Sequence, residues 1–172
     1  MDSAIFSYIA GFLDGDGSIF FQLVRRKDYV FGYQIRSSIA FYQKTVHAEI
    51  LHWLKEQLEY GYIRRRKTGV SDYTIVAPKE VEEILRKIQP YVRLKKPHVE
   101  LGLKILGRLP EVHTVESFLE LCEQVDQFKE LNYSKKRTNN RKIVEAWLRC
   151  KSLYAPVETS SEMKRVLIKN EG

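Results

Sequence analysis

Two carboxylates stand two residues apart in Asp14-Gly15-Asp16-Gly17-Ser18, directly behind the apolar run 4–13. Asp16 lies in a glycine-rich turn, where a carboxylate can approach a metal ion and a phosphate without steric obstruction. A carboxylate-held Mg²⁺ supplies two things that phosphodiester hydrolysis needs: a more acidic nucleophilic water and neutralisation of the developing negative charge. The competing reading is an ordinary Asp-Gly turn that ends a helix. Asp14 reads as support for that turn and helix end, not as a metal ligand.

The elements around these residues follow from periodicity. Residues 4–13 read as a short apolar helix, and Gly11 and Gly15 share one of its faces if it continues that far. Glycine costs about 1 kcal/mol in a helix interior. Its missing side chain also lets another helix come close, so packing can offset that cost. Strands are expected at 19–26 and 33–42, joined by the link Asp28-Tyr29-Val30-Phe31-Gly32 as a hairpin with a longer loop. A helix over about 46–59 precedes strands at 62–66 and 71–76, and a helix at 80–88 stops before Pro90. Helix, two strands, helix, two strands, helix is an αββαββα pattern. It predicts an α+β fold with one four-stranded antiparallel sheet covered by helices. The rest reads as helical. Pro97 suits a first turn, Val115, Phe118, Leu119, Cys122, Val125 and Phe128 form the best helical stripe, and a further helix is expected over about 140–150. Residues 1–156 are expected to form one domain and 157–172 a loosely ordered tail.

Alternation gives the strands a polar face. Gln22, Val24 and Arg26 share a side of the first strand, and Gln34, Arg36, Ser38, Ala40 and Tyr42 a side of the second. Arg64 and Arg66 on the third and Asp72 and Thr74 on the fourth complete it. A β surface of this kind fits the major groove of DNA, where Arg pairs with guanine, Gln with adenine and a methyl surface with thymine. Any sheet covered on one side has a polar solvent face. That explains polarity, but it explains less well why arginine and glutamine dominate here and glutamate is missing. Arg25, Lys27, Arg65, Lys67, Arg93, Lys95, Lys96, Lys135, Lys136, Arg137, Arg141 and Lys142 lie around this face or farther along the chain, and suit phosphate contacts.

Bulk composition agrees without deciding. Twenty-nine Lys and Arg against 22 Asp and Glu give a net charge of +7, which suits nucleic acid or an anionic membrane surface. A hydrophobic fraction of 44% argues against a disordered chain. Cys122 and Cys150 form no CxxC pair, so neither a structural zinc site nor a disulfide framework is suggested. No apolar run approaches the roughly 20 residues of a membrane span, and no secretory signal is expected.

The block Ala10-Gly11-Phe12-Leu13-Asp14-Gly15-Asp16-Gly17-Ser18 closely resembles the signature of LAGLIDADG homing endonucleases. The resemblance continues through Tyr42-Gln43-Lys44-Thr45, Val70-Ser71-Asp72-Tyr73 and Gln89-Pro90-Tyr91-Val92-Arg93-Leu94-Lys95, covering roughly residues 5–150. It looks like the compact single-motif branch encoded within organellar introns. One motif per chain then implies a homodimer, with Tyr8, Gly11, Phe12 and Gly15 on the motif helix at the seam. By the same resemblance, Asp16 is the catalytic metal ligand and the Gly15 carbonyl a second contact. Gln43 positions water, and Lys95 stabilises charge on the scissile phosphate or the water network. His47 departs from a pattern that carries arginine; its imidazole could hold water or phosphate, and an exposed helix residue is the other reading. His47 and Lys96, with Lys135, Lys136 and Arg137 of the C-terminal region, would contact the DNA backbone. The resemblance implies a Mg²⁺ cofactor, with Mn²⁺ also supporting cleavage, and a long pseudo-palindromic double-stranded site. Intron homing in a chloroplast or mitochondrion would be the role. An RNA-binding maturase is the alternative, and the presence of both Asp16 and Gln43 weighs against it.

Overall fold

The computed structural model describes residues 3–132 and 138–151. Lys135, Lys136 and Arg137, and the expected tail 157–172, lie outside the described residues. Helix α1 (Ser3–Asp16) buries Ile9, Ala10 and Leu13 and runs on through Asp14-Gly15-Asp16. The turn expected at those residues is therefore the last turn of the helix. Asp and Gly favour turns when only local bonding counts, but here the burial of Leu13 and long-range hydrogen bonds to Asp14 hold them helical. Strand β1 (Gly17–Arg25) leaves the helix without a loop. A Cβ on Gly17 would lie 2.8 Å from the Leu13 Cα and 2.9 Å from its carbonyl oxygen, so this joint requires glycine.

Strand β2 (Tyr33–Lys44) is followed by a 3₁₀ turn (Thr45–His47) and helix α2 (Glu49–Leu58), so the helix expected from 46 begins with a tighter turn. Strands β3 (Tyr62–Arg65) and β4 (Val70–Ile75) come next, then helices α3 (Pro78–Ile88), α4 (Lys96–Arg108), α5 (Val115–Leu131) and α6 (Arg141–Cys150). The four strands form one sheet in the order β1-β2-β4-β3, with β4 antiparallel to both β2 and β3. The register sets Tyr42 opposite Asp72 and Asp72 opposite Arg64, and sets Ala40 opposite Thr74 and Thr74 opposite Tyr62. Directly opposed residues share a face, so both rows lie on the polar side that alternation predicts. This is the α+β, αββαββα arrangement with C-terminal helices.

The described residues group into two compact units, one within Met1–Phe21 and Arg36–Gly107 and the other within Gln22–Ile35 and Arg108–Gly172. In the first unit Ile9 and Leu13 of α1, Phe41, Tyr73 and Ile75 of the sheet, and Leu51, Leu54, Val81 and Ile84 of the helices are buried. Phe41 stacks on Tyr73 at 5.9 Å between ring centroids, and the Tyr73 hydroxyl donates to the Tyr60 carbonyl at 2.7 Å. The second unit is centred on α5, whose Phe118, Leu119, Cys122, Val125 and Phe128 are buried as the helical stripe predicts. Thr114 and Ser117 form a reciprocal cap at its start. Burial pushes the Cys122 thiol up to about 12, in keeping with a core residue and not a reactive one. Among the described residues no helix is long and apolar enough to cross a membrane.

Candidate active site and polar sheet face

The two carboxylates of the motif have different surroundings. Asp14 is committed to structure: its Oδ2 accepts the backbone N–H groups of Arg93 at 2.7 Å and Leu94 at 3.1 Å, and its Oδ1 that of Lys95 at 2.9 Å. Three donors on one carboxylate pin the segment that leads into α4. The Lys95 ammonium in turn donates to the Asp14 carbonyl at 2.6 Å. Burial lowers the Lys95 pKa, and the charges of Asp14 and Asp16 work against that shift. The supporting role expected of Asp14 is thus met by bonds to residues about 80 positions away.

Asp16 is the final residue of α1 and is exposed. The last carbonyls of a helix lack intrahelical donors and carry partial negative charge. A carboxylate there, with the Gly15 carbonyl in the same turn, makes a place where a cation is favoured. A Cβ on Gly15 would meet nothing within 4 Å, so approach is open. The donor set is oxygen only, which suits Mg²⁺. One chain supplies few ligands: among the described residues no group of three or more His, Cys, Asp or Glu could hold a metal. Octahedral coordination would need oxygens from water, phosphate or a second chain.

Gln43 and His47 lie in the same unit and share a groove with residues of α1. With Tyr8, Phe12, Glu49, Ile50 and Trp53 they line an open groove of about 600 Å³. The Gln43 amide oxygen accepts the Lys44 N–H at 2.8 Å, which leaves the NH₂ end of the side chain as its free donor. His47 is exposed at the end of the 3₁₀ turn. Tyr8 is 51% exposed and meets Trp53 edge-on at 5.3 Å. Gly11, like Gly15, has nothing within 4 Å of an added Cβ. The α1 face carrying Tyr8, Gly11 and Gly15 is therefore open, while the opposite face is in the core.

On the sheet, the first unit holds Arg36, Ser38, Ala40, Tyr42, Arg64, Arg66, Asp72 and Thr74. Arg36 is exposed, whereas Ala40 retains 3% exposure and Asp72 1%. Asp72 is occupied: Arg66 and Arg64 both bond it, and Thr74 donates to its Oδ2 at 3.2 Å. Burial pushes the Asp72 carboxyl upward, but the hydrogen bonds from Arg66 and Arg64 outweigh it and hold the pKa below the usual range. Arg66 also lies over the Tyr42 ring, 5.6 Å from its centroid. Asp72 thus orients two arginines from beneath, and it is Arg64 and Arg66 that face outward. Tyr62 shares their side of β3 and is 44% exposed. Sequence reasoning passed over it, although alternation back from Arg64 marks it.

In the second unit Gln22 and Arg26 are exposed, and Val24 and Gln34 half-buried. Arg26 makes two bonds to Asp28, at 2.9 and 2.7 Å, and lies over the Tyr29 ring. The hydrogen bond from Arg26 lowers the Asp28 pKa to about 2. Solvent screens an exposed pair of this kind, so Arg26 is available to a stronger partner. Arg25, expected at phosphate, is exposed and lies over the Trp147 ring at 5.8 Å. Lys96 is exposed at the start of α4, 4.0 Å from Glu100.

A fold, a single motif and a helix-end carboxylate of this kind define a class. The chain belongs to the LAGLIDADG endonuclease family, whose profile matches residues 9–106. It is 38% identical over 142 residues to DNA endonuclease I-CreI of Chlamydomonas reinhardtii, covering 82% of this chain and 86% of that relative. With DNA endonuclease I-CvuI of Chlorella vulgaris it shares 34% over 137 residues, covering 80% and 85%. The crystal structure of I-CvuI in complex with its target, in the presence of 2 mM Ca, matches with a TM-score of 0.83 at 33% identity, over 90% of this chain and 98% of that one. Site-specific cleavage of double-stranded DNA is the activity that goes with this membership.

Proposed function

We propose that the chain acts as a homodimer that cuts both strands of a long, two-fold-related duplex with Mg²⁺, and that its biological role is intron homing in a chloroplast or mitochondrion. The observation that carries this reading is the end of α1: an exposed Asp16 carboxylate beside an open glycine face. Two such helices meeting along Tyr8, Gly11, Phe12 and Gly15 would bring two Asp16 carboxylates to one centre, and would add to the ligands that one chain supplies. When bound, Mg²⁺ supplies an acidified water and neutralises charge on the scissile phosphate.

The chain's own residues do the rest. Asp16 and the Gly15 carbonyl hold the cation. Lys95, held to the end of α1 by its bond to the Asp14 carbonyl, places positive charge beside the reacting phosphate. Gln43 directs its NH₂ donor at the attacking water, and His47 holds a water or a backbone phosphate from the same groove. Arg64, Arg66, Arg36, Gln22, Arg26 and Gln34 read base edges, with Val24, Ser38, Ala40, Tyr42 and Thr74 completing the surface and Asp72 orienting its arginines. Lys96 contacts the DNA backbone. Lys135, Lys136 and Arg137 extend that grip from outside the described residues. Mn²⁺ supports cleavage in place of Mg²⁺.

The test is selection from a randomised duplex library of the molecules that purified protein linearises with Mg²⁺, in parallel with Asp16→Asn. Recovery of a long two-fold-related site, cut only by the unmodified protein, is expected. Duplexes bound but never cut, even with Mn²⁺, would remove Asp16 from catalysis. No enrichment of any duplex would turn the reading toward structured intron RNA and a maturase.

A further inference from the structure

The second unit contains a contact that neither catalysis nor base reading uses directly. The loop between β1 and β2 closes through three backbone bonds, Arg26 N–H to the Gly32 carbonyl at 2.9 Å, Gly32 N–H to the Tyr29 carbonyl at 2.8 Å and Tyr29 N–H to the Arg26 carbonyl at 3.3 Å. Gly32 has φ +64°, a conformation that side chains rarely adopt. The Trp147 ring of α6 lies on this glycine: a Cβ there would fall 2.0 Å from a ring carbon. The same indole meets Tyr33 edge-on at 5.7 Å and carries the Arg25 guanidinium on its face at 5.8 Å. Eight residues before Trp147, the Asn139 amide donates to the Leu23 carbonyl at 2.8 Å. The start of α6 is itself fixed, since Asn140 caps it and the Arg141 N–H donates to Asp126 at 2.8 Å.

These contacts alternate with the reading residues along the chain. Leu23 and Arg25 flank Val24; Arg25 precedes Arg26; Tyr33 precedes Gln34. An indole has one large rigid face and two side-chain torsions, so it fixes a backbone at low entropic cost. Side chains that read bases must hold their positions closely, and residues packed behind them set that tolerance.

We infer that Trp147, seated on Gly32, is a positioning residue that fixes the β1–β2 hairpin so that Arg26 and Gln34 discriminate their base pairs. The inference rests on the proposed reading of this hairpin as a base-contacting element. Without the indole the hairpin end keeps its hydrogen bonds but gains freedom, so wrong bases are accommodated at those positions and cleavage elsewhere on the site is unaffected.

The experiment takes the selected duplex and a panel with each base pair substituted in turn, and reads relative cleavage by the full-length protein. Arg26→Ala and Gln34→Ala first identify the base pairs that these side chains read. Trp147→Ala is then expected to reduce discrimination at those base pairs by about tenfold, a large part of what one good side-chain contact provides. Discrimination at the remaining positions and the maximal rate on the parent duplex should stay unchanged. Trp147→Phe, which keeps a ring on Gly32, should restore most of the loss. Trp147→Leu, which keeps apolar bulk without the ring, should give the Trp147→Ala pattern, and it serves if Trp147→Ala does not fold. Unchanged discrimination at the Arg26 and Gln34 base pairs, or an even loss over the whole panel, overturns the inference alone. If Arg26→Ala and Gln34→Ala relax no base pair, the base-reading role of the hairpin fails and the inference fails with it.

Discussion

Removing the Asp14 carboxylate should separate the two acids of the motif by their consequences. Asp14→Ala takes the acceptor away from three backbone donors, on Arg93, Leu94 and Lys95. A hydrogen bond to a charged group contributes about 1.5–3 kcal/mol when it is shielded. Arg93 and Leu94 are exposed, so water replaces much of what their N–H groups lose, whereas the Lys95 bond is part-buried. The net loss should be about 2–4 kcal/mol, which for a chain of this size lowers Tm by roughly 4–16 °C. Asp14→Asn retains one acceptor oxygen but turns an NH₂ toward at least one donor, so it should cost about half as much. Both variants release the segment carrying Lys95. Cleavage of bound duplex should fall by about tenfold or more while DNA affinity holds, the signature of a group misplaced in the reaction and not in binding. The assays are urea unfolding followed by single-turnover cleavage with protein in excess. An Asp14→Ala protein within about 0.5 kcal/mol of the parent, cleaving at the parent rate, would refute the clamp.

Two further predictions follow from the sheet and the helix face. Asp72 has a depressed pKa in the folded chain, so its contribution is present above the ordinary carboxylate pKa and is lost as pH falls through the folded value. Asp72→Asn should therefore cost about 2 kcal/mol near neutral pH, and the difference from the parent should shrink in unfolding titrations as the pH falls below the ordinary carboxylate range. A difference that grows on acidification would contradict the ion-pair account. A Cβ at Gly11 meets nothing within 4 Å in the single chain, and Gly11→Leu replaces a poor helix former, so subunit secondary structure by circular dichroism should be intact. Sedimentation should show dimerisation weakened by about tenfold or more, because the face needs close approach. Unchanged association would exclude this face as the seam.

Much of this was legible in the chain. The motif, the αββαββα order and the polar faces follow from local spacing, and local spacing is what a sequence displays. The end of α1 was misread because Asp and Gly signal turns locally, whereas the partners that keep Asp14 in the helix lie at 93–95. Alternation found the outward face but not what each side chain does there. Asp72 points outward and is nevertheless covered by Arg64 and Arg66, and Ala40 is too short to clear its neighbours. Tyr62 was available from the same alternation. The seat of Trp147 on Gly32 was not, since nothing in a lone tryptophan 115 residues downstream names its partner.

The central claim is that two copies each bring one Asp16 to a shared site. Parent and Asp16→Asn subunits co-expressed in known ratios and purified as a mixed population test this directly. At constant total protein on the selected duplex, linearisation should fall as the square of the parent fraction, to about one quarter at an equal mixture. A fall in direct proportion, to about one half, would mean that a single chain cuts both strands and would contradict the account.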